Sequence, residues 1–154
     1  MLKCLNAYVI YPIVIIPIIV GCATQSVKVL LHIIKYKKMD LKFLLISGHM
    51  PSAHTAFVVS ITMVVAFFDG IYSTAFAISL VFSYIVVYDA LKIRTNIGYN
   101  GEIVNKLVKE IPGIKKENYP ILRERVGHKP LEVLAGAILG FILTIFLIVL
   151  LESL

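Results

Sequence analysis

Four short clusters of ionisable residues in this chain have the makings of one chemical site. They are Lys28 with His32, Pro51-Ser52-Ala53-His54, Asp89 with Arg94, and Arg125-Val126-Gly127-His128 with Glu132. Together they supply imidazoles, a hydroxyl, cations and two carboxylates. That set suits phosphoryl transfer, which asks for cations and N–H donors around the equatorial oxygens, with a nucleophile and a proton donor in line. The i,i+4 spacing of His128 and Glu132 stacks them on one helix face if the helix starts that early. A carboxylate on one imidazole nitrogen fixes the tautomer and leaves the other nitrogen free to attack. His54, near a helix N-terminus, could protonate a leaving alkoxide and later activate water. Ser52 and the backbone N–H groups of that turn could hold phosphate oxygens.

The elements that must position these residues are membrane helices. The chain has 154 residues, 59% hydrophobic and 16% charged, whereas about a quarter of an ordinary soluble domain is charged. Long uncharged stretches, 4–27, 43–68, 70–88 and 133–151, approach or exceed the ~20 residues that cross a bilayer as a helix. The expected fold is an all-α integral membrane bundle of about four transmembrane helices, in a single domain over residues 1–154. The first span runs from about Leu5 to Lys35, where Pro12 and Pro17 would bend it or split off a re-entrant piece. In its second half Gln25, Lys28, His32 and Lys35 share one face. Lys28 should turn toward a polar interior, because a lysine facing lipid is costly; the alternative is a side chain that snorkels to the headgroups.

The second span is expected from about Ser52 to Phe68, with Pro51 or Ser52 in its first turn. Asp69-Gly70 turns the chain, and the third span runs from Ile71 to Leu91. In the polar stretch 95–127, Ile103, Val104, Leu107, Val108 and Ile111 form an apolar stripe on a short helix. Pro112-Gly113 stops that helix, which should lie in the membrane interface. The last span begins near Pro130 and ends near Leu151. With this alternation, all four clusters fall at the same membrane face.

The net charge of +6 does not point to nucleic acid. Nearly every Lys and Arg lies in 35–42 or 92–129, both flanked by spans, where positive charge is a topology and headgroup signal. The same bias expects the site to face the cytoplasm, in the plasma membrane. Cys4 and Cys22 lie on one helix about 27 Å apart, too far to bridge. No spacing such as His-x3-His supports a metal site. Asp89 has two readings, a member of the site or an ion-pair partner of Lys92 or Arg94.

These residues also resemble a known family. Pro51-Ser52-Ala53-His54 resembles the Pro-Ser-Gly-His motif of the type 2 phosphatidic acid phosphatase (PAP2) superfamily. Gly127-His128-Lys129-Pro130-Leu131-Glu132-Val133-Leu134-Ala135-Gly136 is similar to its His-x-x-x-Asp motif with the Val-Leu-Ala-Gly tail. The closer likeness is to the divergent branch, related to acid phosphatases and vanadium-dependent haloperoxidases. Its segments read here as Gln25-Ser26-Val27-Lys28, Gly48-His49-Met50-Pro51-Ser52-Ala53-His54, Tyr88-Asp89-Ala90-Leu91-Lys92-Ile93-Arg94 and Gly127-His128-Lys129-Pro130. Order and spacing agree from about residue 20 to 145.

The resemblance implies a metal-independent phosphatase without a cofactor, acting on a lipid phosphate or polyprenyl (di)phosphate held in the bilayer. His128 would form a phosphohistidine, with Glu132 orienting it, His54 as acid/base, and Ser52 and Lys28 on phosphate. Glu132 stands where the superfamily has Asp, Ala53 where it has Gly, and Leu122 where an Arg precedes the nucleophile. Arg94, Arg125 or Arg123 is expected to supply the missing guanidinium. A non-catalytic phospholipid-binding scaffold or transport component of the same fold is the alternative. Four spans leave lipid-facing surface for a homo-oligomer.

Overall fold

The structure, a computed structural model, describes residues 2–37, 50–111 and 120–153; of residues 2–11, 35 and 36 only the backbone is described. The segment around His49, most of the 35–42 connector, the Pro112-Gly113 stop and the Cys4 side chain therefore lie outside the described residues. Five helices follow in order: α1 (Leu2–Tyr36), α2 (Ala53–Phe68), α3 (Thr74–Tyr88), α4 (Arg94–Glu110) and α5 (Pro130–Glu152). A π-turn, Asp89–Ile93, joins α3 to α4. No strand occurs among the described residues.

Among the described residues three stretches are long and apolar enough to cross a membrane: Pro12–Ile34, Thr74–Glu110 and Pro130–Glu152. The fourth apolar helix, α2, has 16 residues and a length of about 24 Å. It is nevertheless the centre of the bundle, packing against α1, α3 and α5, while α1 also meets α5. Large apolar side chains point outward, among them Ile18, Val81, Phe82, Ile138, Phe141 and Phe146. The interior holds Ile16, Val20, Ala56, Val64 and Ile148 together with Thr24, Ser60 and Thr144. That distribution is the reverse of a soluble domain's and suits a lipid surround.

Where lipid tails are as apolar as leucine, helices associate through close packing and hydrogen bonds. Gly136, Gly140 and Thr144 form a stripe of small residues along the α2 side of α5. A Cβ on Gly140 would lie 2.6 Å from the Ala56 carbonyl oxygen, so only glycine lets the two backbones come this close. Further along, the Thr144 hydroxyl donates to Ser60 Oγ at 2.8 Å, and the Thr62 and Ser83 hydroxyls pair at 2.7 Å between α2 and α3. Such bonds are worth only about 0.6 kcal/mol each in a membrane. The backbone approach therefore carries more of this interface than the hydroxyls do.

Several helix ends differ from the sequence reading. Pro12 and Pro17 stay inside one continuous α1 rather than splitting it. Helix α2 starts at Ala53, with Ser52 as its N-cap and Pro51 outside, because Ser52 Oγ accepts from the Thr55 N–H. Helix α3 starts at Thr74 instead of Ile71. Gly70, at φ +86°, completes the turn, and Ser73 Oγ caps by accepting from Phe76 N–H at 3.1 Å. The expected short helix around 103–111 is the end of a longer one beginning at Arg94, continuous through the π-turn with α3. Its stripe residues Ile103, Val104, Leu107 and Ile111 are exposed. The face it buries carries Gly98, Gly101 and Asn105.

Candidate functional site

The chain reverses between α1 and α2 and between α3 and α5, so the sequence clusters meet at one end of the bundle. Hydrogen bonds tie that end together. Ser52 N–H donates to the Glu132 carbonyl at 3.0 Å, joining the start of α2 to the first turn of α5. His128 N–H donates to the Ala90 carbonyl at 3.0 Å, joining the segment before α5 to the π-turn. The π-turn explains the second bond. Arg94 N–H, which would take the Ala90 carbonyl in a regular α-helix, reaches the Asp89 carbonyl instead, and the Ala90 oxygen receives His128.

His128 and Glu132 are both buried, and Nδ1 of the imidazole lies 3.0 Å from Glu132 Oε2. The pairing is the expected one, but its geometry is not. The helix starts at Pro130, so His128 lies outside it and the two side chains are not stacked on a helix face. Proline suits the first helical position and disfavours helix for the residue before it; Lys129 is extended at ψ 151°. Glu132 occupies the third helical position, from which a glutamate reaches back over the helix start. Its Oε2 also accepts from Lys129 N–H at 3.1 Å. One carboxylate oxygen therefore caps α5 and holds His128.

Two cations stand by that carboxylate. Lys28, only 5% exposed, is turned into the bundle as expected rather than snorkelling, and lies within electrostatic reach of Glu132. Arg125 Nη2 is 3.7 Å from Glu132 Oε1, on an exposed side chain. His54, on the first turn of α2, lies in the fields of Arg94, His128, Lys28 and Asp89. Residues from α1, α2, the π-turn, α4 and the approach to α5 thus share one neighbourhood. Arg94 Nε donates to Asp89 Oδ2 at 2.6 Å, so the ion-pair reading of Asp89 holds, and both charges act electrostatically on His54. Ser52 is fully buried. Its oxygen accepts from the Thr55 N–H at 3.4 Å and the Thr55 hydroxyl at 3.0 Å, which leaves its own proton to donate. Ala53 and His54 occupy positions whose N–H groups have no intrahelical partner.

Of the arginines offered for the missing guanidinium, Arg94 stands by His54 and Arg125 by Glu132. The side chain of Arg123 makes none of these contacts among the described residues. Sequence reading missed the Ala90 carbonyl and the glycines that allow close approach: Gly127 against Thr95, and Gly136 against Ser52. The small-residue spacing Gly136-x3-Gly140-x3-Thr144 was a readable signal for the latter.

The sequence profile of the Divergent PAP2 family matches residues 11–143. The chain belongs to this family. All four clusters of this Divergent PAP2 protein fall inside the matched residues. The uncharacterized membrane protein YuiD of Bacillus subtilis (strain 168) is 34% identical over 134 residues, covering 80% of this chain and 85% of that protein. No solved structure matches this family member.

Proposed function

We propose that this membrane protein is a phosphatase for lipid phosphates or polyprenyl (di)phosphates, working through a phosphohistidine on His128. The observation that carries the reading is the buried His128–Glu132 pair, with His128, Lys28, Arg94 and Asp89 all near enough to act electrostatically on His54. Glu132 on Nδ1 keeps the proton there and presents Nε2 as the nucleophile. Nε2 attacks phosphorus while His54 gives a proton to the leaving alkoxide, or to the phosphate leaving group of a diphosphate. His54, now a base, takes a proton from water as that water attacks the phosphohistidine. Inorganic phosphate leaves and both histidines return to their starting states. Lys28, Arg94, Arg125, the Ser52 hydroxyl and the first-turn amides of α2 are the proposed phosphate contacts. Asp89 acts on this reading by orienting Arg94 rather than by moving protons.

The test is phosphate release in detergent from phosphatidic acid, phosphatidylglycerophosphate and polyprenyl pyrophosphate. Turnover is expected to persist in EDTA, since the phosphate charge is met by lysine and arginine. Orthovanadate, which adopts the five-coordinate geometry of the transferring phosphoryl, is expected to inhibit. Activity lost to EDTA and restored by magnesium would sink the assignment. Binding of these lipids without phosphate release would favour the phospholipid-binding scaffold instead.

We further propose that the site faces the cytoplasm of the plasma membrane, because the cationic connectors lie on its side. In a background with Cys4 and Cys22 replaced, Tyr72→Cys, at the opposite turn, should react with an impermeant thiol reagent in intact cells. Ile121→Cys should react only after lysis. The reverse pattern would overturn the orientation.

A further inference from the structure

Helix α4 does more than trail from the third span. Its buried face, Gly98, Gly101 and Asn105, is laid along residues 122–126. A Cβ on Gly101 would stand 2.9 Å from the Arg123 carbonyl oxygen, and one on Gly98 would come 3.3 Å from Val126 N and closer still to the Glu124 carbonyl. The helix and this extended segment therefore meet backbone to backbone. Asn105, buried at 8% exposure, closes the contact with its side-chain amide. Its Nδ2 donates to the Leu122 carbonyl at 2.9 Å and to Glu124 Oε1 at 3.0 Å, while its Oδ1 accepts from Leu122 N–H at 3.0 Å. The side chain pairs with Leu122 as a neighbouring strand would, using both sides of the amide.

The clamped segment leads directly into Arg125 and His128. At its other end it is fixed by His128 N–H on Ala90 and by Gly127 packed against Thr95. Both clamps belong to the same helical body, Thr74–Glu110. We propose that Asn105 is a positioning residue for the phosphoryl-transfer site, setting the register of the segment that delivers Arg125 and His128. This inference rests on the phosphatase reading and adds to it a residue far from the chemistry in sequence.

Small misplacements of reacting groups cost up to about 10²-fold in rate, and they act on the transition state more than on ground-state binding. For Asn105→Ala, assayed as the full chain in detergent, kcat per folded protein should fall roughly 10- to 100-fold. KM should stay nearly constant and inhibition by orthovanadate should weaken in step with kcat. Amide hydrogen exchange in 120–129 should accelerate while α2 and α5 remain protected. Asn105→Asp should be no better than alanine, since a carboxylate would face the Leu122 carbonyl and the Glu124 carboxylate. Adding Glu124→Gln restores a donor opposite it and should recover part of kcat. Lys106→Ala, whose ammonium pairs with Glu102 on the exposed face, is the control and should leave kcat unchanged. Wild-type turnover that Asn105→Ala leaves intact, or a kcat loss without faster exchange in 120–129, overturns the positioning role alone. A wild-type protein that hydrolyses none of the lipid phosphates overturns the phosphatase reading, and this inference with it.

Discussion

Replacing His128 by alanine is expected to abolish both turnover and any covalent phosphoenzyme, because no other group described at the site inherits its anchoring. Its amide is held by Ala90 and its ring by Glu132. His54→Ala should fail differently. The nucleophile stays, but the alkoxide must leave unprotonated and nothing activates water for the second step. General acid–base help is worth roughly 10²–10⁴-fold, so this variant should be slow while still trapping some phosphohistidine. A substrate with a good leaving group, such as p-nitrophenyl phosphate, should partly rescue its first step and do nothing for His128→Ala. Glu132→Gln should fall between, since an amide oxygen can still receive Lys129 N–H and the imidazole N–H but carries no charge to stabilise imidazolium. Brief exposure to phosphate-labelled substrate, with an alkaline quench that preserves phosphohistidine, reads all three. Label on the His128→Ala protein would refute the assignment.

Gly136→Ala is the second substitution expected to have a large effect, although it adds one methyl to an apolar helix. That Cβ would come 3.1 Å from Ser52 Cβ and still closer to the Ser52 carbonyl oxygen. Helix backbone cannot swing away as a side chain would, so α2 and α5 must separate at the site. Overpacking of this kind costs about 1–3 kcal/mol. Here it also strains the Ser52 N–H bond to Glu132. The thermal midpoint should drop and activity should fall up to about 10²-fold; Gly136→Val should be worse on both counts. Ile138→Ala, on the exposed face of the same helix, should leave both near wild type. A Gly136→Ala protein with wild-type midpoint and turnover would show that the close approach is dispensable.

Much of the fold was legible in the sequence because hydrocarbon leaves few options: long apolar runs must be helices, and Pro130 fits the first position of one. The π-turn was not legible, since Asp89–Ile93 carries no glycine or proline and its departure is one displaced hydrogen bond. Likewise, Ile71 and Tyr72 extend the apolar count of the third span, yet Ser73 takes the cap and the helix begins beyond them. In the site, His128 and Glu132 were the right pair through the wrong geometry, because i,i+4 spacing fits a helix face and a helix start equally well. The choice among arginines needed coordinates. Arg94 acts electrostatically on His54 and Arg125 lies 3.7 Å from Glu132, which no spacing rule distinguishes from Arg123. Asn105 was hidden for a different reason: an asparagine within an amphipathic stripe looks like a polar surface residue until the segment it pairs with is in place.

The brevity of α2 bears on how a lipid meets this protein. At about 24 Å it falls roughly 6 Å short of a typical ~30 Å hydrocarbon layer, whereas its neighbours α1 and α5 are long enough to cross. Its longer neighbours surround it, so the difference in length lies inside the bundle and not against lipid. Ser52 packs against Gly136, so the first turn of α2 starts more than a turn inside the start of α5. On the proposed function, the substrate need not be pulled out of the membrane toward a catalyst above it. The start of α2, where His54 stands, is already recessed from the start of α5.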